Sequence, residues 1–403
     1  MIRACRSLAT LATLAAIATL AGSALLATPA AAQLFSGVTV PPSDRDIDNH
    51  SRGGAQHALV SQGIGFVRVT IDYSSPHVHS QAGVDRRGKI WGKGNLVPYG
   101  MATLPFGSCG SQCPWRAGAN ENTVFTTTHD VTIQGQRLPA GSYGLFFIPE
   151  ADEWTIIFSK NYTSWGSFYY DAKEDALRVK AKPQPSEYYE DLAYQFRDQQ
   201  PDSVTAVLRW EDLQLPFAIK VENIDELTVE KMRQELRSAG GFNWRGWVTA
   251  AQFCLTHKIH LDDALLWARH GANPNYGGQE NATTFFTLAM ALEANGKAAE
   301  GKAMLVKAIH DPNAGPSEVH LIGRQLIAMH RPADAMEVFT ANAQLHPNAW
   351  PVHFGLARGH AALGHRDQAI AEAKLALPQA PDPANHEAVK DFIANLEAGK
   401  PVN

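Results

Sequence analysis

The sequence predicts two domains of different fold class, a β-domain followed by an α-helical one. Within residues 64–222, short runs alternate apolar and polar side chains and are separated by turns that contain Gly or Pro. This pattern is typical of an antiparallel β-sandwich, here expected to be jelly-roll-like. From Trp247 onward Ala and Leu dominate, strand-like runs disappear, and Pro recurs at regular intervals. Regular punctuation of helix-forming sequence predicts a solenoid of stacked helices.

The first 32 residues have the three-part pattern of a secretory signal peptide. Arg3 and Arg6 precede an apolar run over residues 8–27, and small residues from Ala30 to Ala32 supply a cleavage site. A membrane anchor is the alternative, although Gly and Pro interrupt the run before the cleavage site. We expect cleavage after Ala32, a periplasmic or secreted protein, and no later membrane span.

Composition limits the classes of function. Removing 32 of the 403 residues leaves 371, and losing the only two charges among them, Arg3 and Arg6, takes the formal net charge from −5 to −7. A mildly acidic chain without a basic run argues against nucleic acid and anionic membranes as partners. The sequence has no phosphate-cradling Gly loop, no G-x-S-x-G and no H-E-x-x-H. We therefore predict no cofactor, no metal and no catalytic residue.

The β-domain is predicted to follow a leader over residues 33–63 that is rich in Pro, Ser, Gly and Asp. Alternation and β-branched content predict about nine strands. Their expected ranges are 66–73, 122–128, 130–133, 143–148, 154–158, 177–182, 188–196, 203–210 and 213–221. Residues 74–104, rich in Gly and punctuated by Pro, are expected to form a long loop with little core, which is usually a functional or mobile feature.

The α-domain is predicted over residues 247–403, after a helical linker over residues 223–246. Small residues occupy equivalent helix positions at spacings of 37, 34 and 34, namely Ala264, Gly301, Ala335 and Ala369. Prolines follow in step, namely Pro274, Pro312, Pro347 and Pro381. This 34-residue period resembles the tetratricopeptide repeat, and it implies an extended surface that binds a protein partner. An irregular helical bundle is the alternative.

A cluster of recognition side chains precedes the second predicted strand. Trp115, Arg116, Asn120 and Glu121 lie in one Gly-containing loop, the kind of place where a β scaffold usually carries its function. Arg116 and Glu121 could act as a clamp and a general base, or they could form a structural ion pair. Trp165 could provide an aromatic floor for a sugar or apolar ligand, or it could belong to the core.

Six ordered segments carry a resemblance to a known family: NLVPYG, WRAGANENT, GQRLPAGSYGLFFIP, EWTIIFSKN, WGSFYYD and VLRW. Over residues 64–221 the chain resembles the domain-of-unknown-function 2911 family. The resemblance implies a bacterial and exported protein. It brings no established activity and adds no catalytic residue.

Two cysteines, Cys109 and Cys113, lie close together just before the recognition loop. In an oxidising compartment a disulfide is the simplest expectation, and the short loop it closes would hold the Trp115–Glu121 segment in one shape. A C-x-x-x-C copper or redox site and a pair of free thiols are the alternatives.

Three histidines raise the question of a metal site. His77 and His79 would face the same side of a strand, and with His129 they could supply three ligands. The alternative is a solvated polar loop, because no sequence feature brings His129 near the other two.

Two functions follow from these observations. The first is a non-enzymatic binding module, in which the sandwich recognises a small ligand or an envelope component and the repeats bind a protein. The second is a hydrolase-like enzyme of the cell envelope that uses a pocket around Arg116, Asn120 and Glu121. A pocket with convergent polar groups and a perturbed carboxylate would favour the enzyme.

Overall fold

A computed structural model describes residues 55–80 and 82–402. The predicted signal peptide, its cleavage after Ala32 and most of the predicted leader lie outside these residues. Within them, every helix is too short or too polar to span a bilayer.

The β-domain is a sandwich of two antiparallel sheets. The larger sheet has the order β1-β2-β3-β6-β7-β8 and the smaller has the order β5-β4-β10-β9. The strands are β1 (Gln56–Ile64), β2 (Val67–Ser75), β3 (Thr123–Thr127), β4 (Val131–Ile133), β5 (Gln136–Leu138), β6 (Gly141–Ile148), β7 (Trp154–Ser159), β8 (Asp175–Ala181), β9 (Gln184–Arg197) and β10 (Ser203–Lys220). Inward side chains of both sheets form one core, so the predicted sandwich is confirmed.

The strands differ from the prediction at three places. β1 lies in the stretch read as leader, where its weakly apolar sequence reflects an edge position with only β2 as partner. β5 is too short to show a period. The strands predicted at 203–210 and 213–221 form one strand, β10, because a bulge at the left-handed residue Glu211 (φ 57°) bends the chain without ending it.

The long connection between β2 and β3 is packed, which corrects the expectation of little core. Val78, Ile90 and Val97 are all at most 2% exposed and join the main core. Short backbone pairings hold the segment together, including reciprocal hydrogen bonds between Ala102 and Cys113. The connection is therefore a fixed wall at one end of the sandwich.

The α-domain consists of paired helices. The helices are α1 (Ile224–Glu235), α2 (Trp244–His257), α3 (Leu261–Gly271), α4 (Ala282–Ala294), α5 (Ala298–Ile309), α6 (Pro316–Ala328), α7 (Pro332–Leu345), α8 (Trp350–Ala362), α9 (Arg366–Ala376) and α10 (Pro383–Glu397). From α2 to α9 each even-numbered helix packs against the helix that follows it.

The repeat phase predicted from small residues is confirmed. Ala264, Gly301, Ala335 and Ala369 each occupy the fourth position of α3, α5, α7 and α9, and each is buried. At Gly301 a Cβ would lie 2.9 Å from the carbonyl oxygen of Ala289 in the paired helix. Small residues are therefore needed because the two helices of a pair approach closely.

Helix α1 contacts both domains. Ile224 and Leu227 pack against the sandwich core. Val229 and Leu236 belong instead to a cluster with α2, in which the free thiol of Cys254 is also buried. The segment expected to be a helical linker therefore shares apolar cores with its neighbours.

Candidate functional site

A cleft of about 390 Å³ opens at one end of the sandwich, beside the predicted recognition loop. Trp115, Arg116 and Asn120 line it, whereas Glu121 and Trp165 are not among its lining residues. The other residues that line it are Ala55, Pro76, His77, Ser80, Arg86, Leu96, Val97, Gly118, Ala119 and Trp210. Its size falls in the range of about 300–1,000 Å³ that small-molecule sites occupy.

The recognition loop is held by backbone pairing with the sheets. Trp115 and Phe147 exchange two N–H···O bonds of 2.8 Å, so the loop runs beside β6 beyond the end of β3. The Ala119 N–H donates to the Ser74 carbonyl at 3.0 Å. At Gly118 a Cβ would come within 2.8 Å of Thr123 Oγ1, so only glycine allows this close approach.

Two residues of the loop adopt left-handed backbone conformations that side chains disfavour. Ala117 and Asn120 both have φ of 57°. The Ala117 carbonyl accepts hydrogen bonds from Tyr194 Oη (2.8 Å) and Thr123 Oγ1 (3.1 Å), and Ala117 is fully buried. Such conformations cost free energy and persist only where the surroundings impose them, and they cluster at functional sites.

Arg116 forms part of the cleft wall and is fixed on three sides. Its Nη1 donates to the Asn120 carbonyl at 2.6 Å, and its Cζ lies 5.5 Å from the centre of the Phe168 ring. Gly166 lies against the guanidinium so closely that a Cβ there would be 2.5 Å from Nη1. Burial lowers the pKa of Arg116, and the negative charge of Glu121 opposes this shift.

Four tryptophans form an aromatic cluster, and two of them, Trp115 and Trp210, line the cleft. The ring of Trp91 lies 5.1–5.5 Å from those of Trp115, Trp154 and Trp210. Trp115 and Trp210 are nearly parallel, with ring centroids 6.2 Å apart. The indole N–H groups of Trp91, Trp154 and Trp210 are buried without a hydrogen-bond partner in the described part of the chain. A buried donor without a partner costs about 1–3 kcal/mol.

A second part of the cleft lining comes from the segment after β2. The Arg86 guanidinium donates to the carbonyls of Val78 (3.1 Å) and His77 (2.6 Å). The His77 ring in turn contacts the Asp191 carboxylate on β9. Sequence reasoning did not assign Arg86 or His77 to the recognition loop, because only the sandwich fold brings residues so distant in sequence together.

The three-histidine metal site considered above is not assembled. His79 contacts the carboxylate of Glu190 at 2.9 Å, and His129 contacts Phe66 and Thr128 instead. Over residues 55–80 and 82–402, no group of three or more His, Cys, Asp or Glu side chains could hold a metal ion.

Glu121 follows the lining residue Asn120, and Trp165 precedes Gly166, which lies against Arg116, but neither Glu121 nor Trp165 lines the cleft. The Glu121 carboxylate accepts a hydrogen bond from Ser74 Oγ at 3.2 Å. Trp165 is 48% exposed, which rules out the core alternative for it, whereas Trp154 and Trp210 are fully buried. A role for Trp165 in binding stays a prediction.

Cys109 and Cys113 lie together on the outer face of the larger sheet, with Cα atoms 5.2 Å apart. They pack with Phe146, Ile157 and Tyr170 in a small apolar cluster. This spacing is the one that a disulfide requires.

The cysteine segment is connected to Arg116 through Phe168. The N–H groups of Ser108 and Cys109 both donate to the Phe168 carbonyl, and the Phe106 ring stacks on the Phe168 ring at 4.2 Å. Because Phe168 contacts the guanidinium of Arg116, the cysteine segment supports the cleft wall from behind.

Fold and site together define a two-domain protein in which a β-sandwich with an end cleft is joined to stacked helical repeats. Residues 55–219 match the family described as "Protein of unknown function (DUF2911)", and residues 326–396 match the tetratricopeptide repeat family. The chain therefore carries a DUF2911 domain followed by tetratricopeptide repeats, as the resemblance in the sequence implied.

Solved structures similar to the chain match its repeat-containing part. One is described as "Crystal structure of YrrB: a TPR protein with an unusual peptide-binding site". The match is 16% identical in sequence, spans 41% of this chain and 86% of the matched chain, and has a TM-score of 0.23. Two MamA structures are 16% and 15% identical, cover 40% and 38% of this chain and 94% and 90% of their own, and have TM-scores of 0.23 and 0.22. These likenesses say nothing about what this chain binds. The comparison with curated proteins finds no match.

Proposed function

We propose that this protein is an exported, non-enzymatic binding module. Its β-domain captures a small ligand, free or as part of an envelope component, in the cleft beside Trp115 and Arg116, and its repeats bind a protein partner. The observation that carries the proposal is the cleft itself, in which a rigid loop, two arginines and an aromatic cluster converge. Convergent polar groups in a mostly preformed apolar pocket are the usual features of a small-molecule site.

The cleft lacks the arrangement that the enzyme alternative needs. Over residues 55–80 and 82–402, no Asp or Glu lines the cleft, and this includes Glu121, the general base of that alternative. One observation still favours an enzyme, since His77 lines the cleft and contacts Asp191 as an oriented base would. The nearby Ser80 Oγ accepts a hydrogen bond from the Val84 N–H, which does not activate it as a nucleophile.

A thermal-shift screen with a matched variant tests ligand binding in the cleft. Ala119 lines the cleft and its backbone N–H makes the bond to Ser74, so Ala119→Leu fills the cavity without removing that bond. Compounds that bind the cleft should raise the melting temperature of the wild type and not that of the variant. Equal shifts in both proteins would contradict the proposal, and consumption of a compound by the wild type alone would favour the enzyme.

The repeat domain supports the second half of the proposal with a groove of about 670 Å³ that is lined mainly by residues of α6 and α8. Arg324 and Arg358 line it, and burial together with Arg324 lowers the pKa of Arg358 to about 10. Two arginines that line the same groove favour a partner segment that carries acidic residues.

A pull-down from periplasmic extract tests the partner. Arg324→Glu in the full chain should lose a partner that the wild type retains, whereas Arg269→Glu, a matched change at an exposed position outside the groove, should retain it. If a tail-deleted protein kept every interaction of the full chain, the repeats would not be the binding surface.

A further inference from the structure

Among the described residues that line the cleft, every charged or titratable side chain is basic. Arg86 and Arg116 line it from two different segments of the chain, and His77 is the remaining titratable group. Asp191 lies behind His77 and is not among the lining residues. This differs from the chain as a whole, which has an excess of acidic residues. A cleft lined by one sign of charge concentrates ligands of the opposite sign.

Burial of the Arg116 guanidinium costs hydration free energy, and a bound anion would offset this cost. Its guanidinium is partly buried, and burial lowers its pKa because the charged form loses water. The hydrogen bond to the neutral Asn120 carbonyl uses Nη1, and the negative charge of Glu121 offsets only part of the effect of burial on the Arg116 pKa. A guanidinium binds carboxylate or phosphate through short, charge-assisted hydrogen bonds.

The rest of the cleft suits a flat or apolar body. Trp115 and Trp210 line it with nearly parallel rings, and Leu96 and Val97 add aliphatic surface. Trp210 is 1% exposed, and its indole N–H has no partner among the described residues.

We propose that the cleft binds a small organic anion, a carboxylate or phosphate attached to a flat or apolar body. The anionic end contacts Arg116 and Arg86, and the body packs against Trp115 and Trp210. This inference rests on the proposed function, since it requires the cleft to be a ligand site. The backbone bonds that fix the loop lower the ordering cost of capture.

Calorimetric titration of the full chain tests the ligand class with defined probes. Phenyl phosphate and phenylacetate present the two anions on the same ring, benzyl alcohol removes the charge, and inorganic phosphate removes the ring. We expect one-to-one binding of at least one aromatic anion, with benzyl alcohol and inorganic phosphate each weaker by about tenfold or more. The tighter of the two aromatic anions distinguishes a phosphate ligand from a carboxylate ligand.

Three variants locate the binding. Arg116→Gln should weaken the aromatic anion about tenfold, whereas Arg137→Gln, the same change at an exposed arginine outside the cleft, should alter affinity less than twofold. Ala119→Leu keeps both cleft arginines and should abolish binding, which secures the test if Arg116→Gln fails to fold.

Other outcomes would overturn the inference. Suppose that benzyl alcohol binds as tightly as the anions and that Ala119→Leu abolishes this binding. The cleft would then still be a ligand site, but the preference for an anionic ligand would be refuted. Absence of saturable binding for both aromatic anions would also refute it. Equal losses in Arg116→Gln and Arg137→Gln would show only general attraction to charge.

Discussion

The link between the cysteine pair and the cleft gives a prediction that combines stability with local order. We propose that Cys109 and Cys113 form a disulfide, and replacing both by Ser should then loosen the segment from Gly107 to Asn120 while the sandwich stays folded. The reason is that the Phe168 carbonyl accepts hydrogen bonds from Ser108 and Cys109 at 2.8 and 3.2 Å, while the Phe168 ring contacts Arg116.

The expected magnitude follows from the size of the closed loop. The two cysteines are four positions apart, and closing so short a loop stabilises a protein by about 2 kcal/mol in the chain-entropy model. If that free energy is lost from local opening, amide exchange at Ser108 and Cys109 should accelerate about thirtyfold. Amides of β6 and β7, buried in the core, should change only by the global loss of stability.

Hydrogen exchange followed by mass spectrometry measures both effects in one experiment. Unchanged exchange from 107 to 120 in the double variant would refute the supporting role of the pair. Two free thiols found by alkylation of the native secreted protein would refute the disulfide. Copper bound in stoichiometric amount to those thiols would establish the metal alternative instead.

Three further predictions concern other parts of the chain. Mass spectrometry of the exported protein should find Gln33 at its start, and an intact Met1 would contradict the signal peptide. Phe339 packs against Gly323 and Gly355, so Phe339→Ala should lower the free energy of unfolding of the α-domain by about 3–5 kcal/mol. A loss below about 1 kcal/mol in urea unfolding would contradict this packing. Burial, together with the charges of Arg358 and Arg324, lowers the pKa of His320 to about 4. Between about pH 4 and pH 6.5, His320 is therefore protonated in the unfolded chain and neutral in the folded chain. Stability should therefore fall as the pH drops through that window, and His320→Asn should remove most of this dependence in pH-resolved unfolding. An unchanged dependence in that variant would refute the role of His320.

The architecture could be predicted because its signals are local and periodic. Alternation along β2 and β7 and the 34-residue phase from Ala264 to Ala369 are visible in the sequence since each element buries one regular face. The sequence does not predict β1, because an edge strand buries few side chains. It predicts two strands in place of β10, because Glu211 and Asp212 interrupt the alternation as a turn would.

The candidate site could be predicted only in part. Trp115, Arg116 and Asn120 were found because they lie together in one loop. Arg86, His77 and Trp210 reach the cleft from other elements, and no local pattern marks them as neighbours of that loop. Trp210 alternates like a core residue, and only the structure shows that its indole N–H lacks a partner among the described residues.

The indole N–H resonances of the chain test the central claim most directly. The sequence has nine tryptophans, of which Trp115 and Trp210 line the cleft, Trp165 lies outside its lining, and four belong to the α-domain. Nitrogen-15 labelled indoles should show saturable shifts at Trp115 and Trp210 when phenyl phosphate or phenylacetate is added, with the α-domain signals unchanged. A shift at Trp165 would extend the site to that ring. Constant signals from Trp115 and Trp210 at saturating probe, or equal shifts across both domains, would contradict a binding site in the cleft.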